Sequence, residues 1–183
     1  MPLKLGIYHA IGQDDWEPQR TNNFELIIPN LGQLYSIDSG LAMPGNASDL
    51  LTLSVKSVSS PGTNIDALKV SYGNNSINFA GKPSYDDVEV VVNDFIGIQT
   101  ERILMAWSKL VYNPKTEEIG MASEYKRDGY LMEYAPNGKF IRKIQCRGMF
   151  PGTIKPGNFD NDDNSIRQIT ATFYIDVAIP LDE

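Results

Sequence analysis

The fold can be predicted from residues 78–110, NFAGKPSYDDVEVVVNDFIGIQTERILMAWSKL. Gly81 and Pro83 favour a turn at Ala80–Pro83, because glycine adopts dihedrals that other residues avoid and proline fixes its own φ. Three valines then alternate with Glu89, Val91 and Asn93. A period of two predicts a strand that buries one face, formed by Val88, Val90 and Val92.

The second half of the stretch has the period of an amphipathic helix. Thr100 is a candidate N-cap, Glu101 lies in the first turn, and Pro114 prevents the helix from continuing. The apolar stripe consists of Ile103, Leu104, Trp107 and Leu110. Because no comparable helical pattern occurs elsewhere in the chain, we expect a mainly β protein with one helix lying across a sheet or a barrel end.

Alternating apolar residues predict further strands on both sides of this stretch. They cover Asn22–Ile28, Leu51–Val58, Leu68–Tyr72 with a continuation at Ile77 and Phe79, a hairpin around Pro136-Asn137-Gly138, and Ile169–Val177. The connection from Tyr112 to Asp128 is predicted to contain a short helical turn over Ser123–Arg127. Six to eight strands without a βαβ rhythm indicate an antiparallel β-sandwich or squashed barrel with one flanking α-helix. At 183 residues, one domain is expected, with an N-terminal arm (1–21) and a β core (22–183).

Composition excludes several classes of protein. The net charge of −7 argues against a nucleic-acid binder held by phosphate contacts. Cys146 is the single cysteine, so no intramolecular disulfide can form. The chain shows no signal peptide, and no apolar run approaches the roughly 20 residues that span a membrane. We therefore expect a soluble protein made in a cytosol, with no membrane partner.

Sequence motifs predict no catalytic, cofactor-binding or metal-binding residue. Asp160–Asn164 has the D-x-D-x-N spacing that begins a calcium loop, but Ser165 and Ala171 replace its later glycine and glutamate. An exposed loop whose side chains bond their own backbone is the favoured interpretation. Asp86-Asp87 is a pair of adjacent carboxylates that would point to opposite faces of a strand, so it forms no acid–base dyad. An enzyme is the least favoured class.

Two segments outside the clear strands carry apolar side chains that could contact another subunit. In the arm they are Leu3, Leu5, Ile7, Tyr8 and Trp16, and in the loop Gly40–Asp49 they are Leu41 and Met43. This apolar content is higher than is usual for a disordered tail. An N-terminal strand that packs on its own domain is an equally good interpretation of the arm.

The motifs together resemble the inner tail tube proteins of contractile-tailed bacteriophages, and more loosely the tubes of related injection systems. The similar elements, in order, are Asn23-Phe24 before a strand, Ile77–Gly81, Tyr85-Asp86-Asp87 with the valines and Asn93-Asp94, Trp107 in the helix, Glu124-Tyr125-Lys126, and Gly148–Pro151 before a polar loop and a long strand. The chain departs from the family in its extended N-terminal segment and in the longer connection from Tyr112 to Gly120.

The resemblance implies a structural virion protein without a cofactor. It implies six-fold rings stacked into a hollow tube, surrounded by a tail sheath, joined to baseplate and tail terminator proteins, and passed by viral DNA that is not specifically bound. Such a protein would reside in the virion tail and be assembled in the host cytoplasm. A baseplate tube initiator and a generic β-sandwich binding domain stay open as alternatives.

If DNA slides through the channel, a lumen lined by acidic and uncharged groups would hold it less than a basic lining would. The acidic candidates are Asp87, Glu89, Glu133 and Asp176. The basic residues of Lys139–Arg147 are then expected at subunit or ring contacts or on the outer wall.

Overall fold

The computed structural model describes residues 18–34, 47–96, 100–162 and 164–181. Its strands are β1 (Phe24–Ile27), β2 (Val55–Val58), β3 (Thr63–Tyr72), β4 (Asn75–Tyr85), β5 (Val88–Asn93), β6 (Tyr112–Asn113), β7 (Glu118–Ile119), β8 (Arg127–Tyr134), β9 (Phe140–Lys155), β10 (Gln168–Tyr174) and β11 (Val177–Leu181). Its helices are α1 (Ala47–Ser54), α2 (Thr100–Val111) and α3 (Ala122–Tyr125), with a 3₁₀ turn at Leu31–Leu34. The predicted mainly β, antiparallel class is confirmed.

The main sheet has seven strands in the order β1-β8-β9-β10-β5-β2, with β11 also paired to β9. All of these pairings are antiparallel. The sheet curls until its two terminal strands, β1 and β2, line opposite sides of one groove. The described strands therefore form a barrel that is not closed.

The predicted apolar stripe of α2 packs on the sheet. Ile103, Leu104 and Trp107 are buried in the core, and Leu110 is partly buried against it. The Trp107 ring lies 5.3 Å from the ring of Phe173 on β10, and its indole N–H donates to the Tyr125 carbonyl at 2.7 Å. These contacts confirm the helix prediction and give the buried indole nitrogen its acceptor.

The predicted strand at Leu51–Val58 is wrong over its first half, because residues 47–54 form α1. Strand alternation would put Leu51 and Leu53 on one face, yet Leu51 is buried and Leu53 is 74% exposed. The burial of Ala47, Leu51 and Ser54 has helical spacing instead. Short apolar windows fit both the helical and the strand period, and tertiary packing decides between them.

Two hydroxyl side chains connect α1 to α2 in the core. Ser54 Oγ donates to the Leu50 carbonyl and lies 3.1 Å from Thr100 Oγ1, so Thr100 joins α2 to α1.

One predicted break and one predicted strand also need correction. The turn at Ala80–Pro83 is wrong, since β4 continues to Tyr85 and the register shifts at that point. A Cβ on Gly81 would lie 2.6 Å from the Asp66 carbonyl oxygen, so glycine is needed for a close approach of two strands. The last strand ends at Tyr174, and residues from Val177 form a separate strand.

A bend in β9 connects the two halves of the main sheet. Residues up to Arg147 pair with β11, and residues from Phe150 pair with β10. Gly148 lies between them with φ of 67° and donates its N–H to the carboxylate of Asp128 at 3.1 Å. A Cβ on Gly148 would collide with the carboxylate of Asp176, which Lys126 binds at 2.7 Å. The bend therefore depends on a left-handed residue without a side chain.

The connection after α2 is more ordered than the sequence indicated. It contains the small β6–β7 hairpin and then α3, so the turn predicted over Ser123–Arg127 is helical only up to Tyr125. None of the described helices is long and apolar enough to cross a membrane.

Replacing Trp107 by alanine should lower the free energy of unfolding by roughly 3–5 kcal/mol, the usual cost of removing a large buried aromatic side chain. Chemical denaturation of the dispersed subunit measures this loss. Tyr112→Ala is the matched control, because Tyr112 is 48% exposed and its loss should change stability little. Equal stability of Trp107→Ala and the native chain would contradict the packing described here.

Gly148→Ala should destabilise the subunit more than Gly73→Ala does. Both residues have positive φ, but a Cβ on Gly73 meets nothing within 4 Å, whereas one on Gly148 meets Asp176. Gly73→Ala should therefore lower the free energy of unfolding only by the cost of a left-handed alanine, about 1–2 kcal/mol. Gly148→Ala should lower it by this amount plus the cost of the contact between the new Cβ and Asp176. Thermal or urea unfolding of the two variants provides the comparison, and equal losses would show that the bend tolerates a side chain.

Candidate self-assembly surface

The described residues offer little that resembles catalytic chemistry. Within them, no three His, Cys, Asp or Glu side chains are grouped closely enough to hold a metal ion. Burial raises the pKa of the Cys146 thiol to about 11, so this cysteine is protonated and poorly reactive at neutral pH. In the acidic loop, the Asp162 N–H donates to Asp160 Oδ1 at 3.0 Å, a local side-chain-to-backbone bond. The candidate functional features are surfaces.

The largest of them is a two-stranded ribbon formed by β3 and β4. It continues the β2–β5 pair, because the Ser59 N–H donates to the Glu89 carbonyl and the Asp86 N–H to the Gly62 carbonyl. All ten residues of β3 are exposed, and at about 3.3 Å per residue a strand of this length spans about 33 Å. The strands were predicted, but their separation from the core was not.

The ribbon has one apolar and one polar face. Leu68 pairs with Phe79 and Val70 with Ile77, and these four share a face with Tyr72. Their exposed fractions run from 44% for Val70 to 77% for Tyr72. The opposite face carries the pairs Lys69–Asn78 and Ser71–Ser76. A contiguous apolar surface of this kind on a small protein marks an interaction site.

The groove between β1 and β2 is the second candidate surface. It has a volume of about 1050 Å³ and is lined by Phe24–Leu26 of β1, by all of β2, and by Leu131 of β8. Each of the two strands has one partner in the main sheet, so the groove is bordered by two strand edges. At one end, the Thr52 hydroxyl donates to the Leu26 carbonyl at 2.9 Å and bridges the gap. Residues 19–23 also line the groove.

The four acidic residues predicted for a channel wall lie on different elements of the subunit. Asp87 and Glu89 are exposed at the base of the ribbon. Glu133 lies on β8 and binds Arg142 at 2.7 Å, and Asp176 lies between β10 and β11 and binds Lys126 at 2.7 Å. The charges of Glu133 and Asp176 are therefore neutralised by neighbours on their own subunit, which the sequence did not reveal.

The predicted subunit contacts fall outside the described residues. They are Leu3, Leu5, Ile7, Tyr8, Trp16, Leu41 and Met43. Of the predicted loop Gly40–Asp49, residues 47–49 are described and form the first turn of α1.

Arg167 organises a third surface, at the start of α2. Its guanidinium binds Asp94 at 2.7 Å and Glu101 at 2.6 Å and lies 4.4 Å from the Phe159 ring. The hydrogen bond to Glu101, followed by the effects of Asp94, raises the pKa of Arg167 above its ordinary value. Nearby, Ile96 is 99% and Phe159 85% exposed. Sequence reasoning missed Arg167 because its two carboxylate partners are 66 and 73 residues away along the chain.

No protein-family model matches the chain. It is homologous to the tail tube protein gp19 of Enterobacteria phage T4, with 25% identity over 162 residues that cover 87% of this chain and 88% of gp19. Several solved structures share its fold, among them the two that follow. A chain of the PVC sheath–tube complex, an extracellular contractile injection system in the extended state, superposes with a TM-score of 0.64 at 16% identity, covering 95% of this chain and 96% of that chain. A chain of the anti-feeding prophage cap gives 0.65 at 18% identity, with 95% and 99% covered.

The double variant Leu68→Ser/Val70→Ser should lose self-association and keep its stability. Both side chains are largely exposed in the subunit, at 59% and 44%, so the free energy of unfolding should change by less than about 1 kcal/mol. Sedimentation velocity would measure association, and denaturation would measure stability. Lys69→Ser/Asn78→Ser, on the polar face of the same ribbon, is the control and should associate normally. Unchanged association of the apolar-face variant would remove this surface from consideration.

Proposed function

We propose that this chain, a homologue of the tail tube protein gp19 of phage T4, is a structural subunit of the tail tube of a contractile tail system. The observation that carries the proposal is the homology over 87% of the chain and 88% of gp19. The fold shared with chains of contractile injection assemblies supports it. In this proposal, residues 22–183 act as one tail-tube domain and residues 1–21 as its N-terminal arm, and the role is structural and not enzymatic.

The subunit assembles with itself into six-fold rings that stack into a hollow tube. The apolar face of the ribbon and the open groove support this, because a folded chain that leaves strand edges and a large apolar face uncovered favours association. The arm residues 1–16 and the loop Gly40–Asp49 are further proposed contacts between subunits. The stoichiometry of six follows from the resemblance to phage tubes.

The proposed partners surround this tube and close its ends. A tail sheath encloses it, baseplate and tail terminator proteins bind its two ends, and viral DNA passes through the lumen without specific binding. The protein is a component of the virion tail, and its assembly takes place in the host cytoplasm. It needs no cofactor and no membrane.

A near-neutral or negative lumen suits the passage of DNA. Each phosphate neutralised by Lys or Arg adds to salt-sensitive affinity, and repetition over stacked rings would hold the duplex. The polar face of the ribbon offers Ser71, Ser76 and Asn78 with one Lys69, and Asp87 and Glu89 add negative charge at its base. If Glu133 and Asp176 also line the lumen, their ion pairs make them nearly neutral.

Electron microscopy of the purified protein tests the proposed function. Long hollow tubes of stacked rings support a tube subunit. Isolated rings that bind the end of a tube would instead indicate a baseplate initiator, and a dispersed monomer at high concentration would overturn the proposal in favour of a generic β-domain binder.

Asp87→Lys/Glu89→Lys should give tubes that retain DNA. The change removes two negative charges and adds two positive ones per subunit in the proposed lumen, so duplex DNA should bind these tubes at low salt and be released as salt increases. Glu117→Lys/Glu118→Lys, in the β6–β7 hairpin, changes the net charge equally and is the control. A strongly basic lining in a structure of the native tube would contradict this mechanism and leave the tube assignment intact.

A further inference from the structure

We propose that Asn137, in the turn between β8 and β9, is a site of spontaneous covalent modification that converts it to aspartate and isoaspartate. The main-chain nitrogen of Gly138 attacks the side-chain carbon Cγ of Asn137 and gives up its proton. The C–N bond of the side-chain amide breaks, and the amide nitrogen leaves with that proton as ammonia. Water then opens the five-membered succinimide ring at one of its two carbonyls, which yields aspartate or isoaspartate. The inference does not depend on the proposed tube function.

The reaction needs an unhindered residue after the asparagine. Asn137-Gly138 is the only Asn-Gly pair in the sequence. Gly138 has φ of 81°, and a Cβ built on it would meet nothing within 4 Å. No side chain therefore shields its nitrogen, and glycine has the widest choice of backbone dihedrals. The Asn137–Gly138 peptide can reach the geometry of attack at low conformational cost.

The turn is open to water, which the second step consumes. Each of the four residues Pro136–Lys139 is exposed. The hairpin is closed behind them, because the Ala135 N–H donates to the Lys139 carbonyl at 2.8 Å. The buried core residues of the described chain lie elsewhere, so a change of backbone in this turn leaves the core intact.

One hydrogen bond directs the Asn137 side chain toward the attacking nitrogen. The Lys139 N–H donates to Asn137 Oδ1 at 3.0 Å. An asparagine bonded in this way to the nitrogen two residues ahead folds its side chain back over the intervening peptide. The intervening peptide here is the one that contains the nitrogen of Gly138.

A second hydrogen bond opposes the reaction. The Gly138 N–H donates to the Ala135 carbonyl at 2.8 Å, and this bond must open before the nitrogen can lose its proton. A hydrogen bond of ordinary net strength should hold the reaction in the folded turn roughly two- to tenfold below the rate in the unfolded chain. The native subunit is therefore modified slowly, during the fraction of time that the turn is open.

The product changes the charge and the backbone of a basic turn. Asn137 precedes Lys139, Arg142 and Lys143 in the hairpin, and the new carboxylate adds one negative charge to the net charge of −7. Isoaspartate also lengthens the main chain by one methylene group, which shifts the turn hydrogen bonds. Modified subunits therefore differ from native ones at this end of β9.

Peptide mapping of the intact subunit, incubated at mildly alkaline pH and sampled over time, tests the inference. Fragmentation of the tryptic peptide 128–139 should locate an aspartate or isoaspartate at position 137. This product should form severalfold faster than the products at Asn74 and Asn161, which are also exposed but are followed by residues with side chains. Equal rates at the three asparagines would overturn the proposed site.

Asn137→Ser is the matched control, because it keeps a polar turn residue and removes the side-chain amide. An isoaspartate-specific methyltransferase should label the incubated native chain severalfold more than incubated Asn137→Ser. Equal labelling of the two proteins would also overturn the site.

The same incubation in urea measures the protection by the Gly138–Ala135 hydrogen bond. The denatured chain should be modified at Asn137 roughly two- to tenfold faster than the native subunit. Absence of modification in the denatured chain would overturn the site itself. A native rate equal to or above the denatured rate would overturn the protective role of the hydrogen bond.

Discussion

The bend of β9 at Gly148 is the constraint on which the rest of the structure depends. One sixteen-residue strand pairs with β8 and β11 before the bend and with β10 after it, so the two half-sheets have a common strand. The bend requires a left-handed backbone, and the carboxylates of Asp128 and Asp176 occupy the space around it. Because the two half-sheets face each other across this bend, they enclose one core, and α2 covers it with Trp107 against Phe173.

Curling of the sheet in this way leaves specific surfaces for association. The core is complete without the ribbon, so β3 and β4 carry their apolar side chains outside it. The barrel stops one gap short of closure, so β1 and β2 each keep an edge. In an isolated protein both features would be liabilities. In the proposed assembly they are surfaces available for contacts between subunits.

Function in such a protein depends on surfaces and symmetry, and a fold by itself does not specify it. The likeness to chains of contractile injection assemblies concerns the fold, whereas the proposed role rests on the similarity to gp19. The placement of charge is compatible with that role. Glu133 and Asp176 are paired with Arg142 and Lys126, and the exposed acidic residues Asp87 and Glu89 lie at the base of the ribbon.

The sequence by itself determined the mainly β class, β5, the α2 stripe and the Asn137-Gly138 hairpin, because each has a long period or a turn with specific dihedrals. It did not determine that residues 51–54 are helical or that β4 passes through Gly81, since short apolar windows and single glycines fit more than one local structure. The sequence also did not determine which strands have a buried face. Val70 and Val90 lie in equally regular alternations, yet Val70 is 44% exposed and Val90 is 1% exposed. The tertiary structure alone made this distinction, because exposure depends on which strands the curled sheet encloses and not on the residues next to each valine.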